Sequence, residues 1–171
     1  MLPAERALES ATTDHVALSV GDLDAMVTFY ARLGFDEIAQ SDFAPAPVRI
    51  ALVGNVAGTV LELTEHRESV TVAPAGDPIE AAKRRGLFHC ALRVAQLDRA
   101  VAEIVAAGAR LIAGPAVNSR GDARFAYVAD PEGNLIELVS PQAKINDWRP
   151  ALRASGQQNA IRRSPVRSLS R

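Results

Sequence analysis

The chain has 171 residues, a formal net charge of −1 and a hydrophobic share of 48%, which suits one domain or two fused small modules with a sizeable buried core. The near-neutral balance gives no electrostatic reason to expect nucleic acid or a membrane surface. One cysteine, Cys90, excludes an internal disulfide and suits a reducing compartment. No stretch approaches the roughly 18 apolar residues of a spanning helix, and residues 1–10 lack a basic region followed by an apolar run, so the expected location is the cytoplasm.

After an N-terminal extension over residues 1–12, the β-branched and apolar run His15–Val20 predicts a strand. Asp22 is placed to cap the helix that follows, where Leu23, Met26, Val27 and Tyr30 fall on one helical face and Gly34 ends the element. Phe35–Gln40 reads as a short strand. A loop with Pro45 and Pro47 leads to a strand over Val48–Val53, Gly54-Asn55 and Gly58 supply turn chemistry, and Thr59–Thr64 is the next strand. These elements make a βαβββ module over residues 13–65. Residues 66–86 are a linker, in which Pro78–Arg85 is a candidate short helix. The pattern then repeats over residues 87–141. Strand Leu87–Val94 comes first, then a helix with Leu97, Ala100, Val101 and Ile104 on one face, ended by Gly108. Strands Ala109–Ala113, Ala123–Ala129 and Leu135–Val139 follow, with Asp130-Pro131-Glu132-Gly133-Asn134 as a hairpin turn before the last. Residues 142–171 form the C-terminal tail, where seven basic residues and one acid, Asp147, from residue 144 onward mark a flexible basic segment.

The repeat is visible residue by residue. An offset of 74 aligns His15 with His89, Leu18 with Leu92, Val20 with Val94, Leu23-Asp24 with Leu97-Asp98 and Gly34 with Gly108. An offset of 75 aligns Val60-Leu61-Glu62-Leu63 with Leu135-Ile136-Glu137-Leu138. Fixed-period self-similarity is a fold-level signal, and here it duplicates one imidazole and one carboxylate. Strand alternation puts His15 with Ala17 and Ser19 and Glu62 with Val60 and Thr64, away from the aliphatic positions. His89 and Glu137 repeat the arrangement. A carboxylate inside an apolar strand needs a partner, and a divalent metal shared by the two histidines and two glutamates would satisfy the set.

The segments DHVALSVGDLDAMVTFYARLGF, LELTE, FHCALRV and ADPEGNLIELVSP resemble the vicinal oxygen chelate superfamily over about residues 13–141. That superfamily includes glyoxalase I, methylmalonyl-CoA epimerase, extradiol dioxygenases and bleomycin- and fosfomycin-resistance proteins. The resemblance implies an α+β fold of two tandem βαβββ modules forming a cup-shaped mixed sheet around a metal. It also implies His15, Glu62, His89 and Glu137 as ligands to one divalent ion (Fe, Mn, Ni, Co or Zn), with Glu62 or Glu137 moving the proton. Modules commonly pair between chains in this superfamily, so a homodimer is expected, although 171 residues can also close the cup alone.

Isomerases, epimerases and lyases of the family resemble this chain in drawing one ligand from each of four positions, and such an enzyme acting on a small molecule is the first expectation. Extradiol Fe(II) dioxygenases resemble a set of two histidines and one glutamate, which His15, His89 and Glu137 would supply, but Glu62 adds a fourth donor. Small-molecule binding and resistance members usually lack the ligands. Phe88-His89 departs from the double histidine of epimerases, and glutathione and coenzyme A both stay open as parts of the substrate.

Arg93 lies two residues beyond His89 and is a candidate for holding a substrate carboxylate or phosphate. Phe125 and Tyr127 share one face of a late strand and are candidate pocket walls. Cys90 is expected in the core as an inert thiol, His66 is expected in solvent, and Asp130 and Asn134 are expected as turn formers.

Overall fold

In the computed structural model, which describes residues 11–70, 77–83 and 85–142, the first module is β1 (Val16–Val20), α1 (Leu23–Ala31), β2 (Asp36–Asp42), β3 (Val48–Gly54) and β4 (Val60–His66). A short helix α2 (Pro78–Ala81) lies in the linker. The second module is β5 (Cys90–Arg93), α3 (Leu97–Ala107), β6 (Arg110–Val117), β7 (Ala123–Ala129) and β8 (Leu135–Pro141). The N-terminal extension up to residue 10 and the basic tail beyond residue 142 lie outside the described residues. None of the described helices is long and apolar enough to cross a membrane.

Each module folds into a four-stranded mixed sheet, β1-β4-β3-β2 and β5-β8-β7-β6. In both, the first strand runs parallel to the last and the remaining pairs are antiparallel. A parallel pair needs a long crossover, and here the crossover is the helix and the two strands that follow it. The registers are equivalent: Ala17 lies opposite Glu62 and Ala91 opposite Glu137.

The helices form where the sequence predicts them. The Asp22 side chain accepts a hydrogen bond from the Ala25 N–H at 2.9 Å, while Gln96, its counterpart, makes no such side-chain cap. Gly34 and Gly108 take φ values of 81° and 122° just past the two helices, a left-handed backbone that favours glycine. Leu23, Met26, Phe29 and Tyr30 of α1 and Leu97, Val101 and Ile104 of α3 are buried. They join Leu61, Leu63, Ile136 and Leu138 in one hydrophobic cluster that draws on both modules.

Two strands differ most from the sequence expectation, the others by one or two residues at an end. The strand predicted over Leu87–Val94 is shorter, because Leu87 is exposed and regular pairing starts only at Cys90. The strand predicted over Ala109–Ala113 extends to Val117, through a register shift at Gly114. Gly114 has φ 84°, and a Cβ there would stand 2.7 Å from the Phe125 carbonyl oxygen. Glycine therefore lets the strand bulge and resume rather than stop.

The modules are tied together by polar contacts as well. Tyr30 of α1 donates its hydroxyl to Asp130 Oδ2 at 3.1 Å, and Glu132 accepts from the Gly21 and Asp22 N–H groups at 2.5 and 2.9 Å. Asp130 is only 3% exposed. Burial raises its carboxyl pKa above the ordinary value and pushes the Tyr30 phenol well up.

Candidate functional site

His15 and His89 each stand one residue before the first strand of their module, beside the glutamate at the centre of the last. The parallel pairing brings each histidine to its own glutamate: His15 Nε2 is 3.6 Å from Glu62 Oε2, and His89 Nε2 is 3.2 Å from Glu137 Oε2. Leu61, Leu63, Ile136 and Leu138 are buried on the opposite face, as strand alternation predicts.

The structure brings the four residues together two by two. Among the described residues, no three His, Cys, Asp or Glu side chains converge closely enough to hold a metal ion. Each pair presents one imidazole and one carboxylate.

The two halves are built differently. His15 is 38% exposed, and its Nδ1 is 2.8 Å from Asp14 Oδ1. That hydrogen bond is the main cause of its raised pKa, and it turns Nδ1 toward Asp14 and Nε2 toward Glu62. Thr64 donates its hydroxyl to Glu62 Oε1 at 3.1 Å. His89 is 21% exposed, and its Nδ1 is buried with no hydrogen-bond partner among the described residues. Aromatic rings hold this imidazole instead: Phe88 lies 4.2 Å away at 84° and Tyr127 lies 5.5 Å away at 81°. Tyr127 also touches Phe125, at 5.7 Å and 70°, and lies opposite Glu137 in the β7–β8 ladder. Burial, with the Glu137 charge second, raises the Tyr127 pKa. Tyr127 thus stands beside the second pair, with Phe125 packed behind it.

Imidazole and carboxylate donors suit a mid-series divalent ion, and the pairs present them with Nε2 turned toward a carboxylate oxygen, so the residues present fit such an ion. Arg93 ends β5, is exposed, and lies opposite Val139 in register, two residues beyond the pairing of Ala91 with Glu137.

Several supporting groups were not singled out from the sequence. Asp14 and Thr64 are among them. So is a duplicated ion pair, in which Arg49 grips Asp24 and Arg124 grips Asp98, each with two contacts between 2.8 and 3.2 Å. The signal was available, since Asp24 and Asp98 align at offset 74 and Arg49 and Arg124 at offset 75. Cys90 is half-buried against the core and its thiol pKa is raised by burial, as expected of an inert thiol. His66 is partly buried rather than solvated, because its Nδ1 accepts the Glu68 N–H at 3.0 Å. Asp130 does form the turn, accepting from the Glu132 and Asn134 N–H groups.

A duplicated βαβββ fold with one His–Glu pair in each copy defines a two-module scaffold. The glyoxalase family model, described as Glyoxalase/Bleomycin resistance protein/Dioxygenase superfamily, matches residues 12–138, and the chain belongs to that superfamily. It is 28% identical over 134 residues to a Synechocystis protein named "Probable lactoylglutathione lyase", covering 76% of this chain and 95% of that one. A Vibrio cholerae protein of the same name is 27% identical over 129 residues, covering 73% and 87%. The fold matches that of the trypanothione-dependent glyoxalase I of Leishmania major, with a TM-score of 0.62 at 23% identity, covering 87% of this chain and all of that one.

Proposed function

We propose that the chain is a divalent-metal-dependent lyase or isomerase of the glyoxalase type, which moves a proton next to the carbonyl of a small molecule. The observation that carries the reading is the matched pair of His–Glu contacts, 3.6 Å in one module and 3.2 Å in the other. The names of the Synechocystis and Vibrio relatives point to a lactoylglutathione-type thioester as the product class.

His15, Glu62, His89 and Glu137 would hold the ion. When bound, the ion supplies Lewis acidity to the substrate carbonyl. Glu62 or Glu137 takes the proton from the carbon beside that carbonyl and returns it to the neighbouring one, as a general base and then acid. Phe88, Phe125 and Tyr127 wall the second pair and limit water there, and Arg93 holds an anionic end of the substrate. Glu62 favours this reading over an Fe(II) ring-cleaving dioxygenase, whose triad of two histidines and one carboxylate keeps the other positions open. The complete donor set likewise speaks against a protein that only sequesters a small molecule.

Because one chain presents the donors as two separate pairs, we propose that a second copy completes the site, the first pair of one chain facing the second pair of the other. The symmetric result is a homodimer with two equal sites.

The test starts with metal content by elemental mass spectrometry on untagged, chelator-free protein. About one metal per chain, lost or weakened in Glu62→Ala, supports the four-donor site. Metal fully retained without Glu62 moves the assignment to the His15, His89, Glu137 triad and oxygen chemistry, read as O2 uptake with catechols. No metal after reconstitution leaves a binding protein. Mixing inactive Glu62→Ala and Glu137→Ala chains tests the pairing: re-assortment into dimers restores about a quarter of the native sites if copies share them, and none if each chain closes its own.

A further inference from the structure

We infer that Thr64 is a positioning residue for the first half of the site: its hydroxyl holds one oxygen of Glu62 and leaves the other turned to His15. This rests on the metal-dependent reading above.

The geometry within the first module carries it. Thr64 and Glu62 stand two residues apart on β4, so their side chains leave the sheet on one face. The Thr64 hydroxyl donates to Glu62 Oε1 at 3.1 Å. The other oxygen, Oε2, is the one that stands 3.6 Å from His15 Nε2. One oxygen of the carboxylate is therefore occupied and the other is presented. The last torsion of a glutamate side chain is broad and soft, and Glu62 is 25% exposed, where water competes for either oxygen. A donor built into the same strand decides which one is taken. Threonine suits the task, because branching at Cβ restricts its χ1 and so fixes the direction of the hydroxyl.

The internal repeat supplies the contrast. The offset-75 counterpart of Thr64 is Val139, two residues beyond Glu137. Valine has nearly the same shape and no hydroxyl, so this device belongs to the first module alone. The imidazole of the first pair is held in a similar way: Asp14 Oδ1 lies 2.8 Å from His15 Nδ1, and the offset-74 counterpart of Asp14 is Phe88. In the first module each member of the pair thus has its outer atom engaged by a neighbour, and its inner atom, Nε2 or Oε2, faces the other member. Outer partners of this kind fix ligand orientation, and their loss typically weakens metal binding by about 10- to 100-fold.

The test measures Co(II) affinity by chelator competition, the visible Co(II) spectrum, and the Tm of the metal-free protein. The proteins compared are wild type, Thr64→Val, Thr64→Ser and Glu62→Gln. Thr64→Val installs the residue that the second module carries at this place. It is expected to bind Co(II) about 10-fold more weakly, with an altered spectrum and an unchanged metal-free Tm. Thr64→Ser, which keeps the hydroxyl, is expected to recover most of the affinity and the wild-type spectrum. Wild-type affinity and spectrum in Thr64→Val overturn the inference. So does a Thr64→Ser variant as weak as Thr64→Val, or a loss fully matched by a fall in the metal-free Tm, since either marks a role in packing rather than in holding Glu62. If Glu62→Gln loses Co(II) while Thr64→Val keeps it, the inference fails and the metal reading stands. If wild type binds no Co(II), both fail.

Discussion

The two modules share a backbone and differ in how they support it. Strand order, the register of alanine against glutamate, the glycine after the helix and the Arg–Asp ion pair all recur. Around the histidine, the first module uses an exposed carboxylate, Asp14, and the second uses a cluster of rings, Phe88, Tyr127 and Phe125. The backbone sets where the imidazole and carboxylate stand, and nearby side chains decide how wet and how firmly held they are. A more buried pair with aromatic walls suits substrate packing. An exposed pair with a charged partner suits exchange with solvent.

The comparison breaks first at the ligands. His15→Ala and His89→Ala should each lower turnover by more than the roughly 100-fold expected for losing an outer partner, measured in steady-state assays with added metal. A fall in one and not the other would show that the two halves do not serve a common site. The next effect is on stability. Leu63 and Leu138 are matched positions, 0% and 3% exposed, so Leu63→Ala and Leu138→Ala should each cost about 2–5 kcal/mol in denaturant unfolding. Costs that differ widely would show that only one half supports the shared core.

A smaller loss falls on the tie between the halves. Tyr30→Phe leaves the ring packing intact and removes the donor to buried Asp130, which should cost about 1–3 kcal/mol and lower Tm by several degrees; no change would show that the tie is not a stabilising contact. The smallest effect is in acid. Hydrogen bonds from Arg49 and Arg124 hold the Asp24 and Asp98 carboxyls below their ordinary pKa of 3.8. A lowered folded pKa stabilises the fold above pH 3.8, and that contribution is lost as pH falls through the folded value. Asp24→Asn and Asp98→Asn should therefore flatten the fall of Tm with pH in that acid range only. Equal flattening would show that Glu65, which contacts Arg49 and has no counterpart contact to Arg124 among the described residues, adds nothing to the first pair.

Periodicity made the fold legible, because an apolar residue every third or fourth place on a helix and every second place on a strand is a direct record of which face is buried. The duplicated His and Glu were legible for the same reason, since two copies at one spacing are hard to produce by accident. Boundaries were less so: the extension of β6 past Gly114 depends on a bulge whose only local sign is a glycine. The contacts across the modules were not legible at all. Asp130 and Tyr30 are 100 residues apart, and nothing in the spacing of either predicts that a turn residue accepts a phenol from another helix. Whether four donors meet in one chain or two was also beyond the repeat, because the same sequence pattern serves both arrangements.

The turn at Asp130 has one more implication. Its counterpart at Asn55 makes the same loop, accepting from the Ala57 and Thr59 N–H groups. After duplication, one copy of a local turn kept to itself and the other was recruited to clasp its sibling. A chain ending in the linker would keep α1 packed on its own sheet but leave the Tyr30 hydroxyl without the carboxylate that receives it.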